Sequence, residues 1–214
     1  MLQTFILLLD WFGLCVFAVS GALVASRKEM DVVGFALLGS VTGIGGGTIR
    51  DVLLGIEPIF WVKQPAYLVT CVVVATVTFF LAHIPQSRER LLLWFDAAGL
   101  SLFCVTGTET ALASGAGSTV AVAMGVATAT FGGIIRDILG GESPIILKQE
   151  IYITAALLGS AVFAGLSGLG LSQDVAAIAG FCAAFALRAA ALIWDLSLPR
   201  YRPRRGGGPA DGGR

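Results

Sequence analysis

Two arginine–aspartate pairs stand in apolar surroundings: Arg50–Asp51 closes the stretch GIGGGTIRD (43–51), and Arg136–Asp137 closes ATFGGIIRD (129–137). A charge at the centre of a membrane helix costs about 2.5–3.5 kcal/mol even on the mildest insertion scale, so such residues face protein or a water-filled cavity and mark ion or substrate paths. Glycines precede each pair: Gly45, Gly46 and Gly47 in the first, Gly132 and Gly133 in the second. Each costs about 1 kcal/mol against alanine inside a helix, which predicts a bend or an unwound turn at both runs. An unwound turn leaves carbonyls at the end of one half-helix and amide donors at the start of the next, whose positive dipole end Asp51 or Asp137 offsets. Spacing places Gly39, Gly43, Gly46 and Arg50 on one helical face, and Gly125, Ala129, Gly132 and Arg136 on another. A plainer role fits the same residues. Small faces let helices approach closely, and the charges can pin one motif to the other, Arg50 to Asp137 and Arg136 to Asp51. The four charges cancel, so they favour neither a cationic nor an anionic solute.

The elements that carry these motifs are apolar. Of 214 residues, 56% are hydrophobic and 13% charged, against about 25% charged in a soluble domain, and the mean hydropathy is +0.86. This composition predicts an all-α integral membrane protein. A bilayer-crossing helix needs about 20 apolar residues, and seven runs of that size lie near 5–25, 32–55, 65–84, 91–113, 118–140, 151–170 and 175–197. The first lacks a basic region before it and a cleavage-type site after it, so it is expected to remain as a span rather than serve as a signal peptide. Lys plus Arg equals Asp plus Glu at 14 each, which argues against nucleic acid as a partner. Basic residues cluster in alternate connections (Arg27 and Lys28; Arg88 and Arg90; Lys148; the C-terminal arginines), with Lys63 the exception. The positive-inside rule therefore puts the N-terminus outside and the C-terminus in the cytoplasm, in the cell inner membrane. The tail 198–214, rich in Pro, Gly and Arg, is expected to be a disordered basic segment that can touch anionic lipid.

An internal repeat organises the spans. At an offset of 86, Asp10 pairs with Asp96, Gly13 with Gly99, Phe17 with Phe103, Gly21 with Gly107, Gly39 with Gly125 and Thr42 with Thr128, as well as the two motifs. After a one-residue slip Glu57 pairs with Glu142, Lys63 with Lys148 and Tyr67 with Tyr152. The units are 5–84 and 91–170, three helices each, with the span 175–197 outside the repeat. Three is odd, so the second copy enters the membrane from the other side, as an inverted repeat whose equivalent residues meet near the midplane.

The remaining polar and sulfur residues assemble no other chemistry. Cys15, Cys71, Cys104 and Cys182 sit singly in apolar runs, without metal-ligand spacing. His83 is expected at a membrane interface, Glu109 at a helix end or vestibule, Arg188 near enough to a helix end to snorkel, and the four tryptophans near span ends. No triad, metal cluster or phosphate loop is formed, and GIGGGTIRD lacks the Walker lysine, so neither an enzyme nor a cofactor or metal is expected.

The twin glycine-rich segments, the three-plus-three-plus-one layout and the length resemble the bacterial members of the trimeric intracellular cation (TRIC) channel family, over essentially residues 5–197. The resemblance implies a homotrimer with a pathway for monovalent cations, chiefly potassium, in each protomer, lined by glycine-kinked helices 2 and 5. It assigns the kinks to Gly45, Gly46, Gly47, Gly132 and Gly133, and the charged positions to Arg50, Asp51, Arg136 and Asp137. Phe131 stands where the second motif would have its first glycine, which implies a weaker bend there. The same domain type is also associated with glycine transport, so a secondary transporter of a small amino acid is the alternative.

Overall fold

In the computed structural model, which describes residues 2–81, 88–145 and 151–197, the chain is entirely helical apart from its connections. Its helices are α1 (Leu2–Arg27), α2 (Val32–Leu54), α3 (Phe60–Lys63), α4 (Ala66–Leu81), α5 (Arg88–Ala113), α6 (Ser118–Leu139), α7 (Ile153–Gly168) and α8 (Gln173–Trp194). Helices α1, α2, α5, α6 and α8 are long and apolar enough to cross a membrane. At 16 residues each, α4 and α7 are shorter than the usual span. The four-residue α3 occupies what reads in the sequence as a polar break. His83, Lys148 and the tail 198–214 lie outside the described residues.

Local chemistry starts α2 and stops both α2 and α6. Asp31 caps α2, its carboxylate accepting from the Gly34 amide at 2.8 Å. At the other end Gly55 takes a left-handed conformation (φ 66°), which lets the Gly55 and Ile56 amides return to the Val52 and Asp51 carbonyls. After α6, Gly141 (φ 64°) does the same, with Gly141 and Glu142 donating to Ile138 and Asp137. Both stops therefore deliver the following connection back over the arginine–aspartate pair that precedes them.

Equivalent helices pack on each other: α1 on α5 and α2 on α6. Phe17 and Phe103 meet edge to face with centroids 5.1 Å apart, each over the other helix's glycine: a Cβ at Gly99 would strike the Phe17 ring, and one at Gly13 would lie 3.1 Å from Phe103. At the α2–α6 crossing a Cβ on Gly46 would collide with the Thr128 carbonyl oxygen, and one on Gly132 with the Thr42 carbonyl oxygen. Gly46 and Gly132 are repeat equivalents, as are Thr42 and Thr128, so the crossing is reciprocal.

This crossing corrects one expectation. The helical hydrogen-bonding pattern runs without a break from Val32 to Leu54 and from Ser118 to Leu139, through both glycine runs, so neither helix divides into two halves at an unwound turn. The physical reason is that the glycines admit a neighbouring backbone: Gly46 and Gly132 give up a side chain to contact rather than to unwinding.

Candidate functional site

Each motif arginine is held by its own neighbour. Arg50 donates through Nε and Nη2 to Asp51 Oδ1 at 2.9 and 2.7 Å, and Asp51 Oδ2 accepts from the Phe60 amide at 2.9 Å. In the second copy Arg136 Nε donates to Asp137 Oδ1 at 2.8 Å, and Asp137 Oδ2 accepts from the Ile145 amide at 2.9 Å. Pairing across the copies, Arg50 with Asp137 and Arg136 with Asp51, is thereby corrected. The left-handed stops bring the next connection over the motif, and the carboxylate's second oxygen is taken by that connection's amide. Nine residues were singled out for the pathway; all are buried: Gly45, Gly46, Gly47, Arg50 and Asp51 on α2, and Gly132, Gly133, Arg136 and Asp137 on α6.

Beyond this shared pattern the two copies differ. Arg136, 0% exposed, also donates through Nη1 to Asp96 Oδ1 at 2.7 Å and to Ser20 Oγ. Asp96 is likewise 0% exposed. A Cβ at Gly133 would lie 3.0 Å from Tyr152 Oη and 3.4 Å from Asp96 Oδ1, so this glycine makes room for the cluster. Arg188 stacks over the Tyr152 ring at 5.3 Å and is 0% exposed. It points into the protein rather than snorkelling to the surface, where its planar guanidinium finds an aromatic face.

In the first copy the equivalent space is a cleft. A cavity of about 10 Å³, the room one water occupies, is lined by Asp10, Leu14, Gly43, Gly47, Arg50, Phe60, Phe103 and Thr128. Arg50 faces it, lies 5.7 Å from the Phe60 ring centre and is 6% exposed. Asp10 and Glu109 both lie within electrostatic reach of Arg50, and Tyr67 lies beside Asp10 while stacking on Trp11 at 4.2 Å. Glu109 is half-buried at this end of α5, so it belongs to the surroundings of the cleft and not to an open helix end.

The sequence reading named the motif charges and missed their carboxylate partners. Asp10 and Asp96 were visible as repeat equivalents, and a preserved aspartate in an apolar run was the signal available. Ser20, Thr106, Tyr152 and Arg188 gave weaker signals, because a hydroxyl or a ring in a membrane helix has many uses. The four cysteines are free, with Cys71 and Cys104 buried and Cys182 exposed. Among the described residues no group of three or more His, Cys, Asp or Glu could hold a metal ion.

This architecture matches known structures. The solved TRIC trimeric intracellular cation channel orthologue from Rhodobacter sphaeroides superposes with a TM-score of 0.89 and is 67% identical, covering 91% of this chain and all of that one. The chain belongs to the TRIC channel family. A second solved TRIC cation channel, described in terms of conductance, matches at 36% identity with a TM-score of 0.83 over 93% of this chain and 98% of that one. The family model described as "Glycine transporter" matches residues 7–83 and 93–167, two segments whose starts are separated by the repeat offset. The inner membrane protein YadS of Escherichia coli K12 is 42% identical over 90% of this chain and 94% of its own length. As a TRIC family member the chain is a multi-pass inner-membrane protein of the channel class and not an enzyme.

Proposed function

We propose that the protein is a monovalent cation channel, with potassium as its chief ion, and that each protomer of a homotrimer carries its own pathway. The observation that carries this reading is the cleft at Asp10 and Arg50, set against the α2–α6 crossing inside a single protomer. Gly45, Gly46, Gly47, Arg50 and Asp51 from α2, with Gly132, Gly133, Arg136 and Asp137 from α6, line the path. Any flexing of these helices that widens it is eased by the glycine runs, which lack side chains to buttress the backbone. A buried arginine beside two carboxylates gives a passing cation neither a deep trap nor a uniform barrier, and conduction needs that balance.

All seven apolar helices cross the bilayer in this reading. Helices α4 and α7 are repeat equivalents, and a short span is accommodated by local thinning of the bilayer. The repeat units are residues 5–84 and 91–170, inverted with respect to each other, and 175–197 is an added span. The N-terminus lies outside, and the C-terminus and the basic tail lie in the cytoplasm, where the tail meets anionic lipid.

Planar-bilayer recording of the purified protein tests the function. Unitary steps that reverse at the potassium equilibrium potential are expected. The description of the matching family model favours one other reading, a secondary transporter of glycine. Glycine-dependent uptake into vesicles in the absence of unitary steps would replace the channel reading with that one.

A further inference from the structure

We infer that Asp96 and Ser20 form a clasp on Arg136 that shuts one end of the pathway, and that Asp10 and Thr106 are the same clasp, released, at the other end. The inference rests on the pathway reading above and concerns four residues outside the motifs.

The repeat supplies the correspondence. The offset that relates Arg50 to Arg136 also relates Asp10 to Asp96 and Thr106 to Ser20, although in the last pair the copies exchange one hydroxyl residue for another. In the second copy the three groups are joined: Arg136 Nη1 reaches both Asp96 Oδ1 and Ser20 Oγ. In the first copy all three are present, but Arg50 is not joined to the other two. The ion pair of Arg50 goes to Asp51, Arg50 and Asp10 both line the cavity, and Thr106, 2% exposed, lies against the Asp10 carboxylate. By comparison with the second copy, the group missing from this pair is the Arg50 guanidinium.

Position explains how one clasp excludes the other. Asp10 and Ser20 are about 15 Å apart along α1, so the clasps sit at opposite ends of the site. Each arginine lies one helical turn beyond the glycine at which α2 and α6 cross, Arg50 beyond Gly46 and Arg136 beyond Gly132. Both helices meet at that one crossing, so a rock about it that carries Arg50 toward Asp10 and Thr106 draws Arg136 away from Asp96 and Ser20. Inverted repeats produce such paired states by exchanging the conformations of their halves. The structure holds the state in which the Arg136 end is clasped and the Arg50 end is unclasped.

Hydrogen–deuterium exchange on the full-length protein, alongside bilayer recording, tests the clasp. Losing a charge-assisted bond of this type should speed amide exchange over residues 133–145 in Asp96→Asn by about tenfold or more, and raise the fraction of time the channel is open. Asp10→Asn should leave exchange over residues 47–60 unchanged, because that clasp is not made in this state. Equal exchange in Asp96→Asn and wild type, or a loosening of 47–60 by Asp10→Asn as large as that of 133–145 by Asp96→Asn, overturns the inference. Should Asp96→Asn fail to assemble, Ser20→Ala, which removes one hydroxyl, is expected to speed exchange over 133–145 several-fold, and no change there is equally fatal. Absence of unitary current in the wild type removes the channel reading alone, since the exchange comparison judges the clasp without it.

Discussion

At the scale of single residues, the arginine–aspartate pairs behave as local units. Each aspartate divides its two oxygens between the preceding arginine and an amide of the following connection, so removing Asp51 strands the Arg50 cation and the Phe60 N–H together, while removing Asp137 strands the Ile145 N–H and leaves Arg136 to Asp96. Double-mutant cycles on thermal stability should therefore give a coupling of about 1–3 kcal/mol between Arg50 and Asp51 and between Arg136 and Asp137, and additivity within about 0.5 kcal/mol between Arg50 and Asp137. A large Arg50–Asp137 coupling would contradict the geometry. The glycines of one run also separate by neighbour. A methyl on Gly46 meets the Thr128 backbone, which cannot step aside, whereas one on Gly45 meets the Ile135 Cδ1 tip at 3.3 Å. Gly46→Ala is expected to cost about 1–3 kcal/mol through overpacking, and Gly45→Ala to be nearly neutral, as read from unfolding midpoints in detergent.

These residues also show what a sequence can disclose. The charges were legible because charge in an apolar run is expensive and was present twice. Which carboxylate each arginine chooses was not legible, because an adjacent partner and a partner on another helix differ only by side-chain rotamer and by where the next connection returns. Asp10 and Asp96 show the same limit: their repetition was visible, but their distance from an arginine 40 residues away in sequence depends on how α1 and α5 are stacked.

At the scale of elements, helix positions were largely legible from apolar run lengths, and the continuity of α2 and α6 was not. Propensity counts what a glycine costs an isolated helix and omits what a close contact returns. Three consecutive glycines read as a break until Thr128 and Phe60 are seen against them. The four-residue α3 was missed for a related reason: its residues, FWVK, lie in a stretch punctuated by Pro58 and Pro65, and its placement depends on Asp51 accepting from the Phe60 amide. The helix stops give a clean test at this scale. Gly55 is left-handed and nothing lies within 4 Å of where its Cβ would be, so Gly55→Ala should cost about 1–2 kcal/mol from backbone conformation alone. Thermal unfolding checks this, and a neutral result would show that the stop is held by its hydrogen bonds without help from the glycine.

At the scale of the whole molecule, the proposed orientation and assembly rest on charge and on family. Arg27 closes α1 and Arg88 and Arg90 lie in the first turn of α5, and Arg27 is tied to Glu142 in the connection after α6 at 2.7 Å, which brings the end of α1 and the end of α6 together. Reporter fusions at each terminus should place the C-terminus in the cytoplasm and the N-terminus outside. A cytoplasmic N-terminus would overturn the inverted arrangement along with the seven crossings. Mass measurement in mild detergent should return three copies, and a fully active monomer would remove the homotrimer from the proposal.

The reciprocal contacts of Gly46 with Thr128 and Gly132 with Thr42 bear on ancestry. A seam in which residue x of one copy meets y of the other, and y meets x, is an isologous interface of the kind that joins identical subunits. Here it is folded into a single polypeptide. The surface one repeat presents is therefore complementary to itself when inverted, and a half-length chain could build the same seam by pairing with its twin, provided that the two inserted in opposite orientations. Tethering both halves through the connection between α4 and α5 removes that requirement. It also lets the copies differ, and they do: one arginine is sealed among carboxylates while its equivalent faces a cavity.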